Sequence, residues 1–561
     1  MSSQPSADES SDCNGSFHEE SNENGSDAED AYLPSSALEL EQIQKAFTKM
    51  VCVQEVPPMM IECPIFKRFV SSLNPFVELG DFESLKNDCL KYYETEMMKI
   101  KHILRNMDAK VNLSVEMLKN DAFDDVLCLT AHFVDDTWKW KKWVLRFQVL
   151  NWESYSGAIV KSLEYWGIMD KVFTITVKSD IFDAETLEWI QDYIQKKTEA
   201  QVKGKLFHVH CCAWFLSSMA QDAFQEISMI IDKVRDLIIW GKSEPVWSIT
   251  NSKLKEALDL QSRGQLDTEF VDDSCLLSPE EWKRLEGVSK SVDKLHSVAE
   301  LLFHAKYPTA TTFLKNLYDL RVSLELDFPN SCSYVNTILE KLLQKFDRYW
   351  EDTFLVMAMA AVMDPRCKMV YIEYLCSKGG NDQSQHSAVL ETVRSFYDDY
   401  LTSSLQKEIS ECDSCPSDYE IECFNSENED DLPNKRRKVG VVKPEGKVSS
   451  NPTNIRSHLE DYQQFVQANS QPPRSELDWY LEEPVLPWDQ DFNLFEWWKT
   501  ERPKYPTLSK MARDLLAIPF SVLTSYDAYY TEERFIDKRL LSSRGALMNS
   551  LMCTRSWHQR H

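Results

Sequence analysis

Glycine is scarce, with 14 in 561 residues, which argues against a glycine-rich nucleotide-binding fold or a turn-dense all-β protein. Long apolar runs are missing too. The longest, Phe354 to Met363, is far too short to span a bilayer and is closed off by Asp352 and Asp364. The N-terminus lacks a basic n-region and an apolar h-region, so nothing there directs secretion, and Lys and Arg are absent before Lys45. The 15 cysteines show no disulfide-framework spacing and mostly sit in apolar segments, as reduced thiols of a cytosolic or nuclear protein do. What is present is apolar and acidic. Hydrophobic residues make up 43% of the chain and 16 are Trp, which excludes wholesale disorder, and the length suggests two to four folded units. The 90 acidic side chains outnumber the 62 basic ones, for a net charge of −28. A duplex repels such a surface unless cations gather locally.

Residues 1–36 are Ser, Asn, Asp and Glu with almost nothing apolar, and are expected to be a disordered acidic tail. Leu38, Ile43, Phe47 and Met50, then a long pattern from Phe82 to about Leu104, predict a helical region over 37–108, with irregular connections at Pro57-Pro58, Pro64 and Asn74-Pro75. Between 109 and 240 the period changes. Val111, Leu113, Val115 and Met117 alternate with polar residues, as in a half-buried strand. Val126–Asp135 and Trp140–Leu150 are further β-rich runs, joined by a short polar Asp135-Asp136-Thr137 that predicts a hairpin. A helix from Tyr155 to Trp166, a strand Val172–Ser179, a helix Asp183–Lys196, a strand Leu206–His210 and a long helix to about Trp240 follow. The order β-β-β-α-β-α-β-α, antiparallel first and parallel after, points to an α/β class whose best-known member is the ribonuclease-H-like fold.

Residues 241–475 read as a large all-α insertion, so the chain is helix-rich overall. Ser278-Pro279-Glu280-Glu281 is a strong helix start, with an N-cap, Pro at the first position and acids at the positive dipole end. Further helices are predicted at 309–326, 333–350, 353–363 and 386–405, and a disordered loop at 406–453. The segment 476–561 is compact and unusually aromatic.

That last segment carries the strongest signal. Glu476-Leu477-Asp478-Trp479-Tyr480-Leu481, Phe495-Glu496-Trp497-Trp498-Lys499, Tyr505-Pro506-Thr507-Leu508-Ser509 and Met511-Ala512-Arg513-Asp514-Leu515-Leu516-Ala517-Ile518-Pro519 resemble the C-terminal dimerisation region of hAT-superfamily transposases and of the plant proteins domesticated from them. Leu129 to Asp135, Trp166-Gly167-Ile168, Phe207 to Ala213 and Ala361 to Arg366 resemble the same family's core. The likeness runs in order from about 38 to 558.

The resemblance implies a ribonuclease-H-like core in which three carboxylates hold two divalent metals for DNA cleavage and strand transfer. At the family's positions this chain carries different residues. The first-strand Asp falls on Glu116, the fourth-strand Asp on Lys178 and the late-helix Glu on Tyr526, and the His of a Cys-x-x-His after the fifth strand is Trp214. Lys178 repels the cation that an acid there would hold, and a phenol of pKa about 10 is a poor magnesium ligand. These are degenerate positions, so no catalytic residue and no cofactor or metal are expected. The rival reading is an active metal-dependent transposase with a displaced triad of Glu116, Asp180 and Asp527; ordinary surface acids are the plainer account. His208 and His210 share a strand face, and neutral histidines are the plainer account there too.

The family's BED zinc finger has no counterpart ahead of residue 38. The Cys-x-x-Cys at Cys412 and Cys415 lacks the second pair that a structural zinc needs, so autonomous sequence-specific DNA recognition is not expected. Lys435-Arg436-Arg437-Lys438 is a cationic run suited to a nuclear import receptor. Leu477, Trp479, Tyr480, Trp497, Trp498, Tyr505, Leu508, Met511 and Leu515 are the expected dimerisation residues, because aromatic surface near a chain end is costly to leave wet; intrachain core is the plainer alternative. The resulting expectation is a domesticated, catalytically inactive nuclear protein. It forms homo- or heterodimers with related transposase-derived chains, contacts DNA or chromatin in transcriptional regulation, and has no membrane association. A protein-interaction scaffold without nucleic-acid contact is the third reading.

Overall fold

A computed structural model describes residues 37–54, 56–119, 125–150, 153–178, 182–198, 204–238, 240, 246–266, 276–303, 309–328, 332–378, 383–413, 474–488, 492–522 and 545–558. Its centre is a five-stranded mixed sheet of β1 (Val111–Lys119), β2 (Asp125–Val134), β3 (Trp140–Val149), β4 (Val172–Val177) and β5 (His208–His210). The spatial order is β3-β2-β1-β4-β5. β1 pairs antiparallel with β2, and β2 with β3; β1 pairs parallel with β4, and β4 with β5. This is the α/β, ribonuclease-H-like arrangement that the element order predicts.

The hairpin between β2 and β3 closes at the predicted residues: Asp135 Oδ1 accepts from the backbone N–H groups of Thr137 and Lys139. β1 departs from expectation. Alternation suggests a strand wet on one face, yet Asn112 and Ser114 are as buried as Val111, Leu113 and Val115. Their polar groups find protein partners instead of water, which makes the second face a covered one. β5 is shorter than predicted because Gly204–Phe207 forms a helical turn, α6, before it.

Helices cover both faces. On one side lie α3 (Phe82–Asn106), α4 (Tyr155–Trp166) and α5 (Ala184–Thr198), which share a core with Leu113, Val115, Leu127 and Ile175. α3 is started by Asp81, whose side chain accepts from Ser84 N–H. α4 is capped by Ser154 and ends on Gly167 at φ +67°, whose N–H reaches back to Leu163 and Glu164. Such a left-handed position suits glycine, and here a Cβ would also lie 2.5 Å from Arg105 Nε.

The other side is a helical mass with one continuous core. It comprises α7 (Cys212–Glu226), α8 (Ser228–Leu237), α9 (Trp247–Ser262), α10 (Pro279–Phe303), α11 (Ala310–Glu325), α12 (Ser333–Val362), α13 (Lys368–Lys378), α14 (Gln383–Asp413) and three C-terminal helices, α15 (Glu476–Glu482), α16 (Leu494–Glu501) and α17 (Pro506–Leu516). The single long helix predicted to Trp240 is interrupted at Ile227, which leaves helical geometry and is buried together with Ile230 and Ile231. Conversely, 333–350 and 353–363 form one helix, α12. Glu351 and Asp352 lie on its solvent side, where charge does not end a helix. α14 extends to Asp413, into the expected loop; the rest of that loop and the tail 1–36 fall outside the described residues.

The N-terminal helices α1 (Ala37–Val53) and α3 form a small cluster with the last helix, α18 (Ala546–His558), through Phe47, Val51, Leu85, Leu547 and Leu551. α18 also covers the outer edge of β3. Asn549 Oδ1 accepts from Phe147 N–H, Ser556 Oγ from Val144 N–H, and Trp557 Nε1–H donates to Val144 C=O. Between α1 and α3, where prolines predict an irregular connection, Pro64–Leu73 forms a helix, α2. Pro64 occupies its first turn, where a missing N–H costs no intrahelical bond.

Candidate functional site

The parallel pairing of β1 with β4 sets Ser114 opposite Thr176. Glu116 comes two residues further along β1, on the face of Ser114, and Lys178 comes just past the end of β4. The start of α7 is tied to this end of the sheet by Cys211 N–H donating to Val177 C=O, 2.9 Å. That contact brings Trp214, the third residue of α7, to the corner. Lys178 Nζ lies 3.4 Å from the centroid of the Trp214 ring. The C-terminal segment also arrives here: Cys212 N–H donates to Phe520 C=O and Val522 N–H to Cys211 Sγ. Tyr526, Asp527 and Asp180 fall outside the described residues.

The structure therefore places three of the four positions singled out in the sequence, Glu116, Lys178 and Trp214, at the same end of the sheet. A hard divalent cation requires oxygen ligands. The described part of the corner offers one carboxylate, Glu116, with an ammonium lying on an indole face. Among the described residues, no cluster of three or more His, Cys, Asp or Glu side chains is arranged to hold a metal ion. His210 lies near the Asp352 carboxylate, whose Oδ2 is 4.0 Å from His210 Nε2, and His208 feels Glu188 instead. Burial depresses the pKa of both imidazoles and favours their neutral forms.

Along the same sheet face runs a buried polar ladder that alternation alone does not reveal. Thr174 Oγ1 donates to Asn112 Oδ1 at 2.7 Å, Asn112 Nδ2 to Asp514 C=O at 3.0 Å, and Thr176 Oγ1 to Pro519 C=O at 2.6 Å. Asp514 on α17 is itself buried and accepts from Lys110 N–H and from Tyr400 Oη–H. Burial raises its carboxyl pKa, and burial beside that carboxyl pushes the Tyr400 phenol well above its usual range. These bonds fasten the C-terminal segment along β1 and β4 and lead it to the corner. The one signal for Asp514 is an acid in the apolar stripe of Leu508, Met511, Ala512 and Leu515.

The expected dimerisation residues are mostly occupied within the chain. Leu477, Tyr480, Trp498, Tyr505, Leu508, Met511 and Leu515 are buried in the chain's own core. Trp497 is half-buried, its ring 4.9 Å from that of Trp498, and Trp479 is 51% exposed. The physical reason is polar as much as apolar. Tyr480 Oη–H donates to Val362 C=O and Trp498 Nε1–H to Met363 C=O, so the rings satisfy carbonyls at the end of α12, which the helix itself leaves unpaired. The adjoining Asp364-Pro365-Arg366 turn completes the joint. Buried Asp364 accepts from Thr311 Oγ1 and twice from the Arg366 guanidinium, which stacks on Trp488 and Phe492. Lys368, also buried, donates to the carbonyls of Tyr480 and Glu483. A single pair of these nine side chains, Trp479 and in part Trp497, is left at the surface. Lys435, Arg436, Arg437, Lys438 and Cys415 lie outside the described residues.

Comparison with known proteins gives three family matches. The hAT family C-terminal dimerisation region matches residues 476–558, which contain α15 to α18. The ZBED1 RNase-like domain matches 115–206, across most of the sheet. The hAT-like transposase, RNase-H fold, matches 311–400, from α11 into α14. Zinc finger BED domain-containing protein RICESLEEPER 1 of Oryza sativa subsp. japonica is 27% identical over 569 residues, spanning 94% of this chain and 75% of that protein. Zinc finger BED domain-containing protein DAYSLEEPER of Arabidopsis thaliana is 25% identical over 559 residues, spanning 93% of this chain and 74% of that protein. With its mixed sheet, its three family matches and this similarity along nearly its whole length, the chain is similar to hAT-family transposases and to the zinc finger BED domain-containing proteins that resemble them.

Proposed function

We propose that this chain is a catalytically silent hAT-derived protein that acts as a dimer in the nucleus, on DNA or chromatin in transcriptional regulation. The observation that carries the silent-core reading is the Lys178 ammonium seated on Trp214. A transposase of this family needs an acid at the first position and a His at the second. An ammonium there opposes a magnesium ion by direct repulsion, and it lies against an indole face. Dimer formation is supported by the match to the family's dimerisation region. Nuclear location rests on the cationic run Lys435–Lys438 and the likeness to proteins bearing BED zinc fingers.

A magnesium-dependent nicking assay tests the silent core: the purified chain leaves supercoiled plasmid intact, and cleavage that Glu116→Gln abolishes overturns the reading. A DNA-binding titration against salt tests the nucleic-acid role. Phosphate contacts weaken steeply as salt rises; a flat or absent response favours the protein-interaction scaffold, for which the −28 net charge speaks.

A further inference from the structure

α2 is a helix with no buried residue. Phe66 turns toward the cluster formed by α1, α3 and α18, but the neighbouring stripe does not. Ile65, Phe69 and Leu73, one helical turn apart, are 74%, 56% and 70% exposed. Exposed Met59 and Met60 before the helix and Phe76 after it extend the apolar surface at both ends. Contiguous apolar surface of this kind marks an interaction site.

We infer that the Ile65–Phe69–Leu73 face of α2 is where a second copy of this chain docks. The inference rests on the dimer reading above and deepens it. Three observations select this occupant. First, α18 belongs to the matched dimerisation region and packs directly on α1 and α3, the body that carries α2, so α2 is continuous with that region in space. Second, the described residues of 476–558 expose few large apolar side chains, namely Trp479, Val485 and Trp488, and Trp488 is already stacked on Arg366. A specific interface needs roughly 800 Å² from each partner, and those scattered residues do not provide a contiguous core for one. Third, two copies at −28 repel each other, yet Pro64–Leu73 contains Lys67 and Arg68 and no acid.

A two-fold contact presents the same patch on both chains. With the two α2 helices antiparallel, Phe69 meets Phe69 of the second copy at the axis and Ile65 faces the other chain's Leu73.

Light scattering on the full chain at micromolar concentration tests this, with Phe69→Glu, Leu73→Glu and Trp479→Ala compared with wild type and far-UV circular dichroism run on each. The expected result is a wild-type mass of two chains, a mass of one chain for both Glu variants with unchanged helix content, and two chains for Trp479→Ala. Two exposed positions are used so that a fold defect in one variant leaves the other decisive. A dimer that persists in both Glu variants overturns the inference and leaves the dimer reading standing. A monomeric wild type overturns both, and gives the α2 face to a different protein.

Discussion

The ammonium of Lys178, just past β4, rests 3.4 Å above the centre of the Trp214 ring in the first turn of α7. In the linear chain these are two separate positions, one where the resemblance implies an acid and the other where it implies a histidine. In space they are one contact, in which a cation that would repel a metal is neighboured by the negative face of an indole.

If that contact contributes to stability, Lys178→Ala and Trp214→Ala should not act independently. A double-mutant cycle by chemical denaturation is expected to give a coupling of about 0.5–2 kcal/mol. Additive effects would show that the two side chains do not meet in solution.

Gly167 ends α4 at φ +67°, with Arg105 against the place a Cβ would take. Gly167→Ala is expected to lower unfolding free energy by at least about 1–2 kcal/mol from the left-handed backbone alone. Adding Arg105→Ala relieves the clash but not the backbone cost, so the double variant should recover only part of the loss.

Asp364 is fully buried and shared by Arg366, Thr311 and the turn that joins α12 to the C-terminal region. Asp364→Ala strands the guanidinium and should cost about 3–5 kcal/mol. Limited proteolysis should then cut between 474 and 522 faster than in wild type, because the joint held by Tyr480 and Trp498 loosens with it.

Lys368 gives a pH signature. Burial holds its ammonium down at about 8, with Glu483 opposing that shift and Lys504 adding to it. In the unfolded chain a lysine titrates near about 10.4. Between those values the unfolded state binds more protons, so this group's contribution to stability rises with pH through that window. Melting of wild type relative to Lys368→Met should improve from pH 8 toward 10.4, and a parallel pair of curves would contradict the assignment.

Much of the sheet was legible because strand period, the Asp135 hairpin and the crossover helices each leave a local mark. What was not legible is long-range. Asn112 and Ser114 read as solvent-facing, since nothing near them announces that Asp514 and Pro519, some four hundred residues away, will cover that face. The aromatic block around Tyr480 and Trp498 stood out, but its use did not. The carbonyls of Val362 and Met363 that it satisfies sit in a different motif. α2 went unread because its prolines suggested only irregular chain, while Ile65, Phe69 and Leu73 kept a clean helical spacing.

The final helix has a quieter consequence. By meeting the amides of Val144 and Phe147 with side chains of its own, it keeps the rim strand from recruiting foreign backbone. A chain shortened before Ala546 would bare those amides and invite ladder-type aggregation. Soluble fragments of this protein should therefore be cut elsewhere, and a tag at its end should be separated from Trp557 by a spacer.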